Sequence, residues 1–498
     1  MLADNHVVLM ATFAVYLLVM IVIGWIAYRQ TQNMNDYVLG GRRLGKWTTA
    51  LSAGASDMSA WLLLGLPGYA YIAGLESLWL ALGLLLGAYI NWRLLARRLR
   101  VYSELGGGAV TIPAYLQQRF NDSRGVLRLI SALVILVFFF FYTCSGLVAG
   151  GKLFSTVFDM PYEWAVVAGA SAIVLYTFMG GFLAVSWTDV IQALLMAAAL
   201  VVVPLMAFYA LGGGAGVILL VEQQPNLLNP LTDSQGVNLT FIAIVSLMGW
   251  GLGYFGQPHI LARFKAVRAP EQLVAARRIA ISWTALTLLG AILVGLSALV
   301  YLETPLASAD SEKVFMVMVE ALFHPVVAGI LLAAILAAIM STADSQLLVS
   351  SSALSEDLYS CLKGASLNEE HAVWLGRFAV VFIAVGACVL ALNPENKVLD
   401  LVAYAWAGLG AAFGPVLILS LYWSRMNWQG ALAGMVTGGL VVVIWKQMQG
   451  GIFDLYELVP GFFLALIAVV AVSKITPAPD VQLVAKHRRI MMWMHAHH

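Results

Sequence analysis

Asp57 is a carboxylate within a stretch of small, hydroxylated and apolar residues, Ser52 to Trp61, that otherwise has the composition of a membrane span. No other charged side chain lies between Lys46 and Glu76. A carboxylate in the hydrocarbon core is costly, and such residues usually mark the path of an ion or a substrate. The small neighbours favour a helix that opens so that its backbone contacts a ligand. This stretch therefore predicts a transport protein with a cation site near the middle of the membrane.

A second stretch with the chemistry of a cation site contains the adjacent hydroxyl residues Ser341 and Thr342. Hydroxyl and carbonyl oxygens are neutral ligands that suit a hard cation. Ser and Thr in a membrane helix also bond back to the carbonyl one turn earlier, and this structural role is the usual one for an isolated pair. Asp344 follows within three residues, and its presence favours the cation site.

The segment from Gly249 to Pro258 contains the spacing Gly-x-Gly-x-x-Gly at residues 251–256. A dinucleotide-binding motif of this form needs a preceding strand and a βαβ unit, whereas this segment lies in a hydrophobic span. We therefore reject that interpretation. The glycines permit either a break in the helix or close packing of two helices, and both stay open. Trp250 and Tyr254 beside the break favour a substrate site.

Two further polar positions have both a structural and a functional interpretation. Asp189 follows Thr188 in the run 180–192, where either residue is placed to cap the N-terminus of a helix; a cation pathway is the alternative for Asp189. Tyr142 lies one turn before a Gly-x-x-x-Gly packing motif at Gly146. It is either a structural aromatic or a residue that faces a central cavity.

The composition places these residues in a membrane protein. Of the 498 residues, 61% are hydrophobic and 11% are charged, against about 25% charged in soluble domains. The net charge of +1 provides no field that attracts nucleic acid. The scattered cysteines Cys144, Cys361 and Cys388 indicate neither a disulfide framework nor a metal site. We interpret the His-rich end, Met494 to His498, as an unstructured tail.

Apolar runs of about 20 residues predict membrane-spanning helices, and the sequence predicts an all-α polytopic protein with thirteen of them. The spans are predicted near residues 7–28, 47–72, 76–96, 127–150, 162–180, 188–211, 238–258, 276–301, 321–348, 372–392, 399–423, 428–447 and 453–473. Twenty-three of the 27 basic residues fall in alternate loops. This bias predicts an external N-terminus and a cytoplasmic C-terminus.

The interruptions in spans two and seven predict an internal repeat. Five helices separate the starts of these spans, and inverted-repeat transporters have a broken helix at corresponding positions in each half. We predict a peripheral first helix and loop at residues 1–46, a first repeat at 47–211 and a second repeat at 212–423. Peripheral spans and a cytoplasmic tail follow at residues 424–498.

These stretches together resemble the solute:sodium symporter family. The resemblance is carried by the run Gly-Gly-Phe-Leu-Ala-Val-Ser-Trp-Thr-Asp-Val-Ile-Gln at residues 180–192 and by Ser341-Thr342 late in span nine. Residues 52–65, 250–264 and 340–359 are similar to members that transport proline, and the likeness covers essentially the whole chain. It implies a LeuT-type core of five plus five helices. It also implies a secondary active symporter of the bacterial inner membrane, not an enzyme, that couples inward Na⁺ movement to uptake of L-proline.

The resemblance also implies roles for individual residues. Na⁺ would bind between spans two and nine, to the carbonyl oxygens of Ala55, Met58 and Ala338 and the hydroxyls of Ser341 and Thr342. The proline pocket would be lined by Ser59, Trp61, Tyr142, Trp250, Tyr254 and Pro258. Asp57 would support Na⁺ affinity from beside the site, Asp189 would lie on the Na⁺ exit route, and Arg42 would lie on the cytoplasmic side of the pathway. The resemblance implies no obligatory protein partner.

Two positions depart from the family pattern. Ala60 stands where Gly is expected, which makes backbone approach to the substrate tighter. Asp344 follows the hydroxyl pair where many relatives have no acid, and we predict that it forms a second cation or proton stop with Asp189.

From the residues alone, other functions stay open. The same scaffold serves for another solute, such as a sugar, pantothenate or a different small amino acid, and a channel or a sensor is the alternative from another class. A membrane enzyme is disfavoured because the predicted spans contain no metal-ligand spacing and no nucleophile–base set.

Overall fold

The computed structural model describes residues 2–30, 34–179, 181–359, 361 and 369–496. Gly180 of the predicted turn, Lys363 of a predicted basic loop, and His497 and His498 of the predicted tail lie outside these residues. In the described part of the chain, the β-structure consists of the isolated bridges Leu44–Val267 and Thr232–Asn238.

The α-helices are α1 Leu2–Tyr28, α2 Met34–Leu39, α3 Lys46–Asp57, α4 Gly65–Ala73, α5 Ser77–Asn91, α6 Arg97–Leu105, α7 Ile112–Phe120, α8 Val126–Phe158, α9 Tyr162–Met179, α10 Phe182–Ala210, α11 Gly214–Gln223, α12 Phe241–Gly249, α13 Pro258–Ala266, α14 Gln272–Tyr301, α15 Val314–Leu322, α16 Pro325–Ser352, α17 Glu369–Ala391, α18 Val398–Tyr422, α19 Trp428–Trp445, α20 Leu458–Ile475 and α21 Val481–Ala496. Short 3₁₀ turns lie at Gly40–Arg42, Ala60–Leu62, Gly74–Glu76, Asn226–Leu228, Trp250–Gly256, Ser308–Lys313 and Gly451–Asp454, and π-helical turns at Trp92–Ala96 and Ala353–Leu358.

Among the described residues, 10 helical stretches are long and apolar enough to cross a membrane. The all-α polytopic class is therefore confirmed, whereas the number of thirteen spans stays a prediction. Predicted spans five and seven correspond to the shorter apolar helices Tyr162–Val174 and Phe241–Gly256. Predicted span two is divided between α3 and α4.

The first helix break lies between α3 and α4. Ser59 has φ 5° and ψ −171°, far from helical values, and its hydroxyl accepts a hydrogen bond from the Trp61 N–H at 3.4 Å. The residues from Asp57 to Gly65 are all buried. Buried backbone outside a regular helix needs other hydrogen-bond partners. The carbonyl and N–H groups of this break are therefore available to bind a ligand inside the bundle.

The second break is a 3₁₀ turn, Trp250–Gly256, between α12 and α13. Its glycines both open the helix and pack closely: a Cβ at Gly253 would lie 1.8 Å from Nε1 of Trp406, and one at Gly251 would lie 2.1 Å from the Gly83 oxygen. Pro258 is the first residue of α13, a position that proline tolerates because the N–H it lacks has no helical partner there. The second break therefore lies at the C-terminal end of the span predicted near residues 238–258.

The centre of the bundle is α16, which is buried along almost its whole length. It packs against α3, α8 and α10, and α10 also packs against α3 and α14. These contacts place the break after α3 beside the hydroxyl residues of α16.

Candidate functional site

Ser341 and Thr342 on α16 point at the last turn of α3. The Ser341 hydroxyl donates to the carbonyl oxygen of Ala55 at 2.9 Å and to that of Ala338 at 3.1 Å. The Thr342 hydroxyl lies 3.4 Å from the same Ala55 oxygen. Met58, fully buried, begins the break three residues after Ala55. Four of the five oxygens expected to bind Na⁺ thus form one cluster, and each keeps a lone pair for a cation.

Asp57 connects the two helix breaks. The Tyr254 hydroxyl, in the second break, donates to Oδ2 of Asp57 at 2.6 Å. The Tyr142 hydroxyl on α8 donates to the backbone carbonyl of Asp57 at 3.4 Å. The Asp57 side chain is 5% exposed. Its carboxylate is thus engaged by a tyrosine of the second break, while the Ala55 carbonyl faces the hydroxyl pair.

Aromatic rings fill the space between the breaks. The rings of Trp61 and Trp250 lie 6.3 Å apart at 44°, and Trp250 stacks on Tyr456 at 5.3 Å. Tyr254 meets Trp406 edge to face at 5.0 Å, and Trp406 Nε1 donates to the Trp250 carbonyl at 2.8 Å. The structure therefore brings predicted pocket residues together with Trp406 and Tyr456, which the sequence reasoning missed. The available signal was a tryptophan among small residues at 405–408.

Pro258 faces a different space from these rings. It lines a cavity of about 30 Å³ whose wall also includes Thr111, Lys265 and Asp357. Pro258 therefore lines a small, mostly apolar cavity whose wall includes two charged side chains, Lys265 and Asp357.

Asp189 on α10 forms a fully buried ion pair with Arg263 on α13. Nη2 of Arg263 lies 3.1 Å from Oδ2 of Asp189, and both side chains are 0% exposed. Ser52 donates to the same Oδ2 at 2.6 Å, and Arg263 also donates to Ser345 at 2.5 Å. The network joins α3, α10, α13 and α16. Arg263 is one of the 23 basic residues that the sequence assigns to alternate loops, and for this residue the assignment is wrong, because α13 carries it into the bundle.

Asp344 is fully buried, and its Oδ1 accepts a hydrogen bond from Thr177 on α9. Within the described residues, Oδ2 of Asp344 and Oδ1 of Asp189 have no hydrogen-bond partner. The two carboxylates are held by different groups, and Arg263 already supplies a positive charge beside Asp189. A second cation or proton stop at this pair stays a prediction.

The loop 109–111 is contacted by side chains from several elements. Arg42 lies 3.5 Å from the Ala109 carbonyl, and Lys265 Nζ donates to the carbonyls of Val110 and Thr111 at 2.7 and 3.0 Å. The Thr111 hydroxyl donates to Asp357 at 2.9 Å. Hydrogen bonds from several elements thus hold this loop across the bundle.

A helical bundle with two opened helices, neutral oxygens at one break and aromatic faces between both, has the design of a secondary transporter. The fold agrees with solved structures. A Na⁺-coupled sialic acid symporter, solved in a substrate-bound outward-open state, superposes with a TM-score of 0.78 at 19% identity and covers 95% of this chain and 99% of its own. Mhp1, a nucleobase-cation-symport-1 family transporter, superposes at 0.53 with 15% identity, covering 92% and 99%. The fold is the LeuT type.

The family follows from sequence. The model of the Sodium:solute symporter family matches residues 37–438. Sodium/proline symporters of Salmonella typhimurium strain LT2 and Escherichia coli strain K12 are each 51% identical over 95% of this chain and 94% of their own length. That of Haemophilus influenzae is 47% identical over 94% and 95%. This chain belongs to the sodium:solute symporter family.

Proposed function

We propose that this chain couples inward movement of Na⁺ to uptake of L-proline by alternating access. The observation that carries the coupling is the cluster of Ser341, Thr342 and the Ala55 carbonyl beside the opened α3. The solute is supported by relatives 47–51% identical over almost their whole length, all of them sodium/proline symporters. The protein is a multi-pass membrane transporter. Its bacterial relatives indicate the inner membrane, and the basic loops support an external N-terminus and a cytoplasmic C-terminus.

Na⁺ binding at this cluster would tie α3 to α16. The hydroxyls of Ser341 and Thr342 both lie within hydrogen-bond distance of the Ala55 carbonyl oxygen. A bound Na⁺ would take the oxygen lone pairs of the same groups and hold the break after α3 in one conformation. Ordering of the break raises solute affinity by the coupling free energy between the two sites, and linkage makes that effect reciprocal. Asp57 would add negative potential from beside the cation.

Proline would bind between the two breaks. The opened helix after Asp57 presents backbone N–H groups, which suit a carboxylate. The faces of Trp61 and Trp250 suit the pyrrolidine ring and its ammonium through cation–π attraction. Ser59 and Ala60 form the backbone wall, and the side chain of Ala60 restricts the space for larger amino acids.

Inward release requires the inner contacts to break. The Arg263–Asp189 pair and the loop 109–111 join elements of both predicted repeats, residues 47–211 and 212–423, so they would hold the pathway closed toward the cytoplasm. Rocking of one repeat against the other would separate these contacts. The membrane potential supplies about 2.3 kcal/mol per charge for each 100 mV.

Uptake into proteoliposomes tests this proposal. We expect saturable proline uptake that requires an inward Na⁺ gradient and is blocked by excess unlabelled proline, but not by pantothenate, glucose or alanine. Failure of excess proline to compete would exclude proline as the solute, and ion conduction without saturation would indicate a channel.

Ser341→Ala tests the cation site in the same assay. The change removes one oxygen ligand, so the Na⁺ concentration for half-maximal uptake should rise roughly tenfold, about 1.4 kcal/mol. Ser350→Ala is the matched control, because Ser350 is equally buried on α16 and its hydroxyl has no hydrogen-bond partner among the described residues. An equal effect of both changes would contradict the assignment.

A further inference from the structure

A cavity of about 420 Å³ lies at the end of the bundle that carries the arginine-rich loops. Its wall is formed by the π-helical turn Trp92–Ala96, α6, α14, the end of α18 and α21. Four arginines line it, Arg93, Arg97, Arg98 and Arg277. None of its lining residues in the described part of the chain carries a carboxylate. The cavity therefore concentrates positive charge and has the properties of an anion site.

Uncharged groups contact the guanidinium groups of Arg93, Arg98 and Arg277. Arg98 lies over the Tyr422 ring at 3.9 Å and donates to the Leu421 carbonyl at 3.4 Å. Arg277 lies over the Tyr89 ring at 5.4 Å, and Arg93 donates to the Tyr89 hydroxyl at 3.5 Å. Guanidinium groups held in this way present paired N–H donors, which match the oxygens of a phosphate.

The surface next to the cavity is aliphatic. Leu82, Leu86 and Ile90 repeat every four residues on one face of α5 and are 44%, 49% and 41% exposed. The neighbouring α14 exposes Leu286 and Leu289 at 48% and 52%. A ligand that uses both features needs an anionic group for the arginine-lined cavity and hydrocarbon chains for the aliphatic surface.

We propose that Arg93, Arg97, Arg98 and Arg277 bind the phosphate group of an anionic phospholipid, whose acyl chains lie along the exposed face of α5. The proposed orientation places this lipid in the inner leaflet. Basic pockets between spans on the cytoplasmic side are suited to such headgroups. Since Met494 of α21 also lines the cavity, the lipid joins the C-terminal helix to α5 and α14.

The test compares lipid binding by the full chain and two charge-matched variants in native mass spectrometry. One variant carries Arg93→Gln, Arg97→Gln and Arg277→Gln. The control carries Arg124→Gln, Arg268→Gln and Arg278→Gln, three exposed arginines that do not line the cavity. We expect the cavity variant to bind dioleoylphosphatidylglycerol at least roughly tenfold more weakly and the control to match the wild type. Dioleoylphosphatidylcholine should bind weakly to all three proteins.

Two results would overturn the proposal. Equal phosphatidylglycerol binding by the cavity variant and the control would exclude Arg93, Arg97 and Arg277 as the groups that bind the phosphate. Displacement of phosphatidylglycerol by millimolar inorganic phosphate, with an equal rise in melting temperature, would identify a site for free anions instead of a lipid. If the triple variant does not fold, Arg93→Gln alone replaces it, because the Arg93 side chain is exposed. This single change should weaken phosphatidylglycerol binding roughly fivefold. Unchanged binding would overturn the proposal.

Discussion

At the scale of single residues, Asp57 is stabilised by the two tyrosines that surround it. A buried carboxylate without a hydrogen bond would cost several kcal/mol, and the Tyr254 hydroxyl at 2.6 Å offsets that cost. The sequence singles out Asp57 as a lone acid in an apolar stretch, and the structure places it, buried, at the first helix break. Its hydrogen-bond partner was not predictable, because Tyr254 lies 197 residues further along the chain. Sequence spacing does not show which residues of two distant helices meet.

Replacement of Asp57 tests its role beside the cation. Asp57→Cys removes the negative charge near the Ala55 carbonyl, so the Na⁺ concentration for half-maximal proline uptake should rise at least roughly tenfold. Tyr254→Phe keeps the charge but loses its hydrogen bond, and it should shift the same quantity in the same direction by less. Sodium titrations of uptake measure both, with thermal unfolding as the check on folding. Unchanged sodium dependence in Asp57→Cys would contradict the role.

At the scale of secondary structure, the two broken helices, α3–α4 and α12–α13, show where prediction from sequence succeeded and where it failed. The breaks were predictable from Gly, Pro and hydroxyl residues in apolar runs. The course of the chain after the second break was not predictable, because basic residues such as Arg263 and Lys265 are typical of loops. Their burial depends on partners elsewhere in the bundle: Asp189 pairs with Arg263, and the Val110 carbonyl accepts a hydrogen bond from Lys265. The helix α7 also packs inside the bundle, through the buried side chains of Tyr115 and Arg119.

The Arg263–Asp189 pair predicts a non-additive pair of substitutions. Asp189→Asn leaves Arg263 as a buried charge without its counter-ion, and Arg263→Gln does the reverse, so each should destabilise the protein by about 3–5 kcal/mol. The double variant removes both charges and should be more stable than either single variant. Thermal unfolding of the purified proteins completes the double-mutant cycle. Additive losses would show that the two side chains do not interact.

Gly253 is predicted to be intolerant of a single methyl group. Gly253→Ala places Cβ 1.8 Å from Nε1 of Trp406, so the ring has to move and its hydrogen bond to Trp250 is lost. We expect a stability loss of about 1–3 kcal/mol together with loss of proline uptake. Gly439→Ala in α19 is the control, because no atom lies within 4 Å of its added Cβ and Ala favours helix. Similar behaviour of the two variants would exclude steric closure at Gly253.

At the scale of the whole molecule, polar contacts join distant parts of the chain at both ends of the bundle. At one end Lys152 binds Glu312 at 2.6 Å, and the same carboxylate accepts the N–H of Val398 at 3.2 Å. At the other end the loop 109–111 is held by Lys265 and Asp357. The sequence predicted the all-α polytopic class, which is confirmed, whereas the thirteen spans and the sidedness of the charges stay predictions. It did not predict α21, because a 16-residue amphipathic segment with three basic residues is also typical of an unstructured tail.

The docking of α21 is predicted to depend on pH through His487. This side chain is 3% exposed and lies 5.6 Å from the Tyr102 ring. Burial, together with Arg119 and Arg98, lowers the pKa of His487 to about 3, against about 6.5 when α21 is undocked and hydrated. The docked helix therefore requires neutral His487, so docking is fully stable above about pH 6.5 and weakens as the pH falls from there toward 3. The neighbouring Lys486 donates to the Gly106 carbonyl at 2.6 Å.

His487→Phe separates this titration from packing, because the substituted ring still fills the space against Tyr102. Amide hydrogen exchange of residues 481–494, corrected for intrinsic rates, should rise in the wild type between about pH 7.5 and pH 5, since the undocked helix gains a proton that the docked helix refuses. The variant should exchange equally slowly at both pH values, because it has no group that titrates at this contact. The same pH response in both proteins would assign the effect to other groups, and faster exchange of the variant at both pH values would show that the imidazole stabilises the contact in its neutral form.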